Sequence, residues 1–152
     1  MMYLLGRHVN DKQILKVIGR YLRADLMKGG LNSPRRQGAP QGGPLSPLLS
    51  NIYLHELDQE LERRGHRFVR YADDLIVLVK SEKAGHRVLE SVRKYLYRKL
   101  KLEINEDKSS VERVEEISYL GYCITYKGGD GGPRLAVSRK SHHRIRAKLR
   151  EE

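Results

Sequence analysis

Apolar residues recur every three or four positions in three stretches of the chain, a spacing that places them on one face of an α-helix. Asn10 or Asp11 can cap the first predicted helix, which is expected to stop at Gly29-Gly30. Ser46 is the predicted N-cap of the second helix, ahead of a proline at its first position, and Ser81 caps the third. The three apolar faces consist of Ile14, Val17, Ile18, Tyr21, Leu22 and Leu26; Leu48, Leu49, Ile52, Leu57 and Leu61; and Val88, Leu89, Val92, Tyr95 and Leu96.

Runs of β-branched and aromatic residues predict strands elsewhere in the chain. Residues 68–79 contain two such runs around an acidic centre, residues 102–104 alternate as a short strand, and residues 117–126 are followed by 134–137, which can pair back as a hairpin. A short basic helix is expected from Ser138 onward. The order helix, helix, hairpin, helix, strands predicts an α+β fold in which helices pack on one face of a small antiparallel sheet.

The centre of the 68–79 stretch is Tyr71-Ala72-Asp73-Asp74, which puts two adjacent carboxylates in a predicted hairpin turn. Like charges at contact distance resist joint ionisation unless a cation lies against them. Mg²⁺ takes oxygen ligands of this kind, and phosphoryl transfer by two metal ions needs such a cluster. Asp73 and Asp74 are therefore candidate Mg²⁺ ligands. The alternative is an ordinary turn in which they only end a strand.

The amino-acid composition indicates what class of partner the chain binds. The chain has 152 residues, 39% of them hydrophobic, which suits one globular core better than two. It has 30 Lys and Arg against 19 Asp and Glu, so its formal net charge is +11. A domain this basic usually meets nucleic acid, although a merely solvated surface is the alternative. The basic residues cluster over residues 7–36 and 139–150, and this segregation favours a binding surface.

The single cysteine, Cys123, cannot form an internal disulfide, so we expect a reducing compartment and a cytoplasmic protein. No spacing of cysteine and histidine is typical of a zinc site. The sequence has no secretory signal and no apolar run long enough to span a membrane, so no membrane partner is expected.

Residues 31–43 are predicted to form a loop, with Arg35-Arg36 at its centre and a glycine-rich end that leads into the second helix. Glycine lets the backbone approach a ligand closely, and exposed backbone amides in such a loop can meet a phosphate or a base edge. A helix N-terminus also attracts anions. A plain connector between two helices is the alternative interpretation.

Two motifs follow one another along the chain: Gly38-Ala39-Pro40-Gln41-Gly42-Gly43-Pro44-Leu45-Ser46-Pro47-Leu48-Leu49-Ser50-Asn51-Ile52, and then Arg70-Tyr71-Ala72-Asp73-Asp74. In this order and spacing they resemble a reverse transcriptase, and most closely the bacterial group II intron reverse transcriptase/maturase. The resemblance continues through residues 102–108 and 119–122 and so covers most of the chain. It implies the palm of an RNA-directed DNA polymerase.

The resemblance implies a role for each matching residue in nucleotidyl transfer from a dNTP to a primer 3′-hydroxyl. Asp73 and Asp74 would be catalytic ligands of Mg²⁺, and Lys108 would protonate the pyrophosphate leaving group. The structural alternatives are a solvated turn lysine for Lys108 and core packing for the tyrosines at 119 and 122. The other implied roles are nucleotide or template contacts by Gln41, Gly42, Tyr71 and Ala72, and a primer grip of Tyr119, Leu120, Gly121 and Tyr122. Contacts to the nucleic-acid backbone are expected from the basic residues Arg35, Arg36, Arg139, Lys140 and Arg144.

The chain departs from the family pattern mildly at Ala39, where threonine or valine is common, and more seriously in one metal ligand. The family has a further metal-binding aspartate on a strand before the first helix, and residues 1–10 contain neither that residue nor such a strand. We therefore expect an N-terminally truncated palm over residues 1–137 and, over 138–152, a basic helix leading toward an absent thumb. Without the missing strand, a sheet edge is exposed and a homodimer through that edge is expected.

The predicted function is thus that of a fragment of an RNA-directed DNA polymerase, inactive alone, with RNA template, intron RNA, DNA primer and dNTP as partners. One rival from another class is a non-catalytic, maturase-type RNA-binding module, which the charge supports. A second rival is the palm of a retron-type reverse transcriptase, which shares the chemistry and differs in its RNA partner.

Overall fold

The computed structural model describes residues 1–24, 26–28, 31–33, 44–126 and 132–151. They fall into two units, Met1–Leu75 and Ile76–Glu152. The α+β class predicted from the sequence is confirmed. Within the described ranges the strands pair two by two, as β1 with β2, β3 with β4 and β5 with β6. The first unit contains α1 (Met2–Gly6), α2 (Lys12–Arg23), β1 (Leu26–Lys28), β2 (Leu31–Ser33), α3 (Ser46–Arg63), β3 (Arg67–Tyr71) and the start of β4 (Asp74–Leu78).

Helix α2 begins where the sequence predicts, because the Asp11 carboxylate accepts hydrogen bonds from the backbone amides of Gln13 and Ile14, at 2.7 and 3.2 Å. It ends at Arg23, so the expected extension of the helix through Leu26 to the paired glycines is wrong. Antiparallel strands β1 and β2 follow instead, with Leu26 opposite Ser33. Residues 31–33, predicted as the start of a loop, thus form a strand, and the rest of that predicted loop, residues 34–43, lies outside the described residues.

Helix α3 is the packing centre of the first unit. Leu49, Leu57 and Leu61 are buried on it, together with Leu5 of α1. Leu45, rather than Ser46, is its N-cap, so the predicted capping role of Ser46 is wrong. The Ser46 hydroxyl lies 3.2 Å from the hydroxyl of Tyr21 and thereby connects α3 to α2.

The second unit contains the rest of β4, α4 (Glu82–Tyr95) with a π-helical turn after it (Leu96–Leu100), a 3₁₀ turn (Glu106–Lys108), β5 (Tyr122–Thr125), β6 (Arg134–Val137) and α5 (Arg139–Glu151). Ser81 caps α4 as predicted, accepting a hydrogen bond from the amide of Ala84. The predicted hairpin of β5 and β6 is confirmed, with Tyr122 opposite Val137. The side chains of Val92, Leu96 and Leu100 form the buried apolar row along α4 and its π turn.

The strand predicted at residues 102–104 is wrong, because these residues have no regular secondary structure. Lys101, in the left-handed region at φ +53, ends the preceding helical turn. Leu102 and Ile104 are half-buried and Glu103 is exposed. The alternation that suggested a strand therefore reflects which side chains are covered, and does not reflect strand pairing.

Helix α4 passes close to the segment after residue 108. A Cβ atom added at Gly85 would lie 2.5 Å from Cγ1 of Val111, so only glycine allows this approach. None of the helices in the described residues has the length and apolar character needed to cross a membrane.

Candidate active site

The two candidate metal ligands lie at the tip of the β3–β4 hairpin. Strand β3 ends at Tyr71 and β4 begins at Asp74, so Ala72 and Asp73 make the turn. Ala72 has φ +54, in the left-handed region that a residue with a side chain rarely occupies. Asp73 and Asp74 are exposed, and so is Tyr71, which is 64% exposed. The turn therefore presents two adjacent carboxylates and an aromatic ring to the solvent.

The side chain of Arg70 connects this turn to helix α3. Its guanidinium pairs with both carboxylate oxygens of Asp58 on α3, through Nε at 2.7 Å and Nη2 at 2.5 Å. Its Nη1 donates to Oδ1 of Asn51, also on α3, at 2.8 Å, and to the carbonyl oxygen of Ala72 at 2.7 Å. The Arg70 side chain is only 11% exposed. Sequence reasoning missed this residue, although a charged side chain at an inward position of an apolar strand is a recognisable signal.

The turn fits a hard divalent cation as part of a ligand set. Carboxylate oxygens are the ligands that Mg²⁺ prefers, and it keeps several waters or takes substrate phosphates at its other positions. The exposure of Asp73 and Asp74 leaves room for such ligands. Among the described residues, no group of three or more histidine, cysteine, aspartate or glutamate side chains could hold a metal ion. These two aspartates therefore supply at most part of a coordination shell.

Lys108 lies in the second unit, at the end of the 3₁₀ turn, and is exposed. The turn is tied to α4 because Arg93 donates to both carboxylate oxygens of Glu106, at 2.9 and 2.6 Å. Hydrogen bonds to Glu106, and also to Glu90, raise the pKa of Arg93 above its ordinary value. The same contact with Arg93 lowers the pKa of Glu90. The ion pairs thus fix the backbone next to Lys108 and leave its ammonium group in solvent.

The predicted primer grip is a tight turn in the second unit. Tyr119 and Tyr122 exchange two backbone hydrogen bonds, at 2.8 and 2.9 Å. Leu120 and Gly121 between them have φ +51 and +86, the two positive values that a type I′ hairpin turn needs. Tyr119 is half-buried, whereas Leu120 and Tyr122 are 49% and 48% exposed. Core packing therefore does not account for Tyr122.

This turn is fastened to the start of the basic helix α5. The amide of Ser138 donates to the carbonyl oxygen of Gly121 at 2.9 Å, and Ser138 is buried. The Ser141 hydroxyl would lie 2.8 Å from a Cβ atom added at Gly121, so the turn and the first helical turn are in close contact. Helix α5 has no acidic residue in its first turn. Its candidate backbone-contacting residues Arg139, Lys140 and Arg144 are all exposed.

The structure thus brings the predicted site residues together in two groups. Tyr71, Ala72, Asp73 and Asp74 share one turn in the first unit, and Tyr119 to Tyr122 adjoin α5 in the second. Four further predicted site residues lie outside the described residues, namely Arg35, Arg36, Gln41 and Gly42.

Three relatives are similar to this chain over most of its length. Protein YkfC of Escherichia coli is 28% identical, over 91% of the chain and 45% of its own length. Group II intron-encoded protein LtrA of Lactococcus lactis is 26% identical, over 80% of the chain and 31% of its own length. Retron Mx65 reverse transcriptase of Myxococcus xanthus is 33% identical, over 74% of the chain and 26% of its own length. The chain spans less than half the length of each of these relatives.

The sequence pattern of one family, described as reverse transcriptase (RNA-dependent DNA polymerase), matches residues 7–124. This match takes in α2, α3, the β3–β4 hairpin, α4 and most of β5. It confirms the resemblance drawn from the two motifs, and it covers well over half of the chain. The chain therefore belongs to the reverse transcriptase family.

Proposed function

We propose that this chain forms part of the palm of an RNA-directed DNA polymerase, which extends a DNA primer on an RNA template. The observation that carries the proposal is the Tyr71-Ala72-Asp73-Asp74 turn, which exposes two adjacent carboxylates at the tip of a hairpin in a chain of this family. Proximity, orientation and charge neutralisation supply most of the rate enhancement in phosphoryl transfer. An acidic turn that is held in one orientation contributes to proximity, to orientation and, through its bound cations, to charge neutralisation.

Asp73 and Asp74 would hold Mg²⁺ in this proposal, together with ligands from outside the described residues and from the nucleotide phosphates. When bound, the metal ions activate the attacking primer oxygen and stabilise charge on the leaving pyrophosphate. Tyr71 and Ala72 would border the primer end and the incoming dNTP, and Gln41 and Gly42 would contact the nucleotide or the template. Lys108 would donate a proton to the pyrophosphate oxygen.

The second group of residues would bind the nucleic-acid duplex. Exposed Tyr122 would lie against the primer, and Arg139, Lys140 and Arg144 of α5 would contact phosphates. The hydrogen bond from Ser138 to Gly121 supports joint action, because it fixes the start of the basic helix to the tyrosine turn. We also propose a cytoplasmic location, since the sole cysteine, Cys123, permits no internal disulfide.

A non-catalytic RNA-binding module, of the maturase type, is the competing function. It is favoured by the net charge of +11 and by the similarity to an intron-encoded protein. A retron-type polymerase is favoured by the 33% identity to the retron enzyme and would keep the same chemistry with another RNA. DNA synthesis that depends on Asp73 is expected of the intron-type and the retron-type polymerase and is not expected of the non-catalytic RNA-binding module.

We expect Asp73→Asn, made in the full gene product that carries this chain, to lower primer extension on an RNA template at least about a hundredfold, because one anionic metal ligand is lost. RNA affinity should stay within about twofold, since this binding is governed by phosphate contacts. Asp11→Asn is the matched control, because Asn caps a helix as well as Asp does. DNA synthesis that survives Asp73→Asn at the control level would refute the catalytic role and leave the RNA-binding module.

Binding of RNA by the chain should weaken steeply with salt, because counterions are released when phosphates are neutralised. Replacing Arg139, Lys140 and Arg144 together with glutamine should reduce the slope of log affinity against log salt by about 0.7–0.9 per contact removed. The control removes the same charge from exposed positions elsewhere in the second unit, Lys83, Arg87 and Lys99. Filter binding at several salt concentrations measures both slopes. Equal slopes for the two triple variants would remove α5 from the proposed binding surface.

We further propose a homodimer through the β3–β4 sheet. In the described part of the chain this sheet has only two strands, so both of its outer edges lack a neighbouring strand. Val69 and Leu78 on these strands are 57% and 52% exposed. Light scattering at increasing concentration should reveal dimers, and Val69→Lys should reduce them while the exposed helical control Val17→Lys does not. A monomer at the highest concentration would rule out this interface.

A further inference from the structure

We propose that Arg70 is a positioning residue, which sets the geometry of the Asp73-Asp74 turn by fixing it to helix α3. The importance of that geometry for DNA synthesis rests on the function proposed above. The fixing of the turn itself does not, because it follows from contacts within the first unit alone.

All three guanidinium nitrogens of Arg70 are engaged. Two of them form a bidentate pair with Asp58, and the third donates both to Asn51 and to the carbonyl oxygen of Ala72. Asp58 and Asn51 are seven residues apart, two helical turns, and so project from the same face of α3. The Arg70 and Asp58 side chains are 11% and 15% exposed, so water competes less for the bonds of this pair than for the exposed bond to Asn51.

The bond to Ala72 reaches the catalytic turn directly. The Ala72 carbonyl and the Asp73 amide belong to one planar peptide unit, so holding the carbonyl oxygen also sets the plane from which Asp73 departs. Ala72 has φ +54, a conformation that is unfavourable for alanine unless its surroundings impose it. The hydrogen bond from Arg70 Nη1, at 2.7 Å, is such a constraint.

Helix α3 can fix the position of Arg70 because the helix itself is packed in the core. Its residues Leu49, Leu57 and Leu61 are buried in the core, with Leu49 and Leu61 each 1% exposed. A planar guanidinium with five donors can pair with a carboxylate and still reach two other acceptors, whereas a lysine ammonium cannot reproduce this fork. Charge alone is therefore insufficient at position 70, and the shape of the donor group matters.

A merely structural ion pair between β3 and α3 is the competing explanation. It predicts that loss of Arg70 loosens α3 and the strands together. A positioning role predicts a change confined to the turn, which also appears when only the Asn51 contact is removed, because Asn51 shares Nη1 with the Ala72 carbonyl.

Hydrogen–deuterium exchange of the metal-free chain tests this directly. We expect Arg70→Lys to speed exchange of the amides over residues 72–75 at least about tenfold, with a smaller increase for Asn51→Ala, while amides of the buried part of α3 keep their rates. Arg67→Lys, an exposed arginine on the same strand, is the matched control and should change nothing. Unchanged exchange at 72–75, or an equal increase throughout α3, would overturn the proposal.

A second readout links the turn to catalysis. In the full gene product, Arg70→Lys should lower kcat for primer extension about tenfold or more while KM for dNTP and RNA affinity change little, since ligand orientation is lost and binding surfaces are kept. A loss of RNA affinity equal to the loss of rate would refute the positioning role. If the turn loosens but Asp73→Asn leaves DNA synthesis intact, the proposed function fails and the fixing of the turn stands.

Discussion

The acidic turn of this protein depends on a partly buried charge pair between Arg70 of β3 and Asp58 of α3. Such a pair stabilises a fold only when the remaining donors are satisfied, because the desolvation of two charges can exceed their attraction. Here Asn51 and the Ala72 carbonyl accept the remaining hydrogen bonds of the guanidinium. The pair therefore connects helix α3, whose leucines are buried, to a hairpin tip at which Asp73 and Asp74 are exposed.

The second unit fixes its candidate residues by other means. Backbone hydrogen bonds close the 119–122 turn and attach it to Ser138 at the start of α5, and the Arg93–Glu106 pair holds the turn that ends in Lys108. At the 119–122 turn the anchored groups are backbone, and at the 3₁₀ turn the anchored group is the Glu106 carboxylate. The side chains of Tyr122 and Lys108 remain exposed. At Asp73, too, the neighbouring backbone is held by a hydrogen bond and the carboxylate is exposed. Exposed side chains on a fixed backbone suit a surface that must meet a large, charged substrate.

Capping, turn and strand patterns in the sequence predict much of this structure. They fail where contacts between residues distant in the sequence determine what a side chain does. The caps at Asp11 and Ser81, the β5–β6 hairpin and the acidic turn follow from residue chemistry within a few positions. The capping role of Ser46 was wrong, because its hydroxyl contacts Tyr21, 25 positions away in the sequence. The inward position of Arg70 is visible in the sequence, but its partners are not, since Asn51 and Asp58 lie on a preceding helix and no periodicity links them to β3.

We propose above that the Asp73-Asp74 turn binds the catalytic metal. Paramagnetic broadening of backbone NMR signals by Mn²⁺ tests it most directly, because the effect detects weak binding and needs no catalytic activity. At low Mn²⁺ concentration, we expect the broadening to centre on residues 72–75 and to be strongly reduced in Asp73→Asn. Broadening centred on the acidic residues of α3, with the signals of 72–75 unchanged, would contradict it.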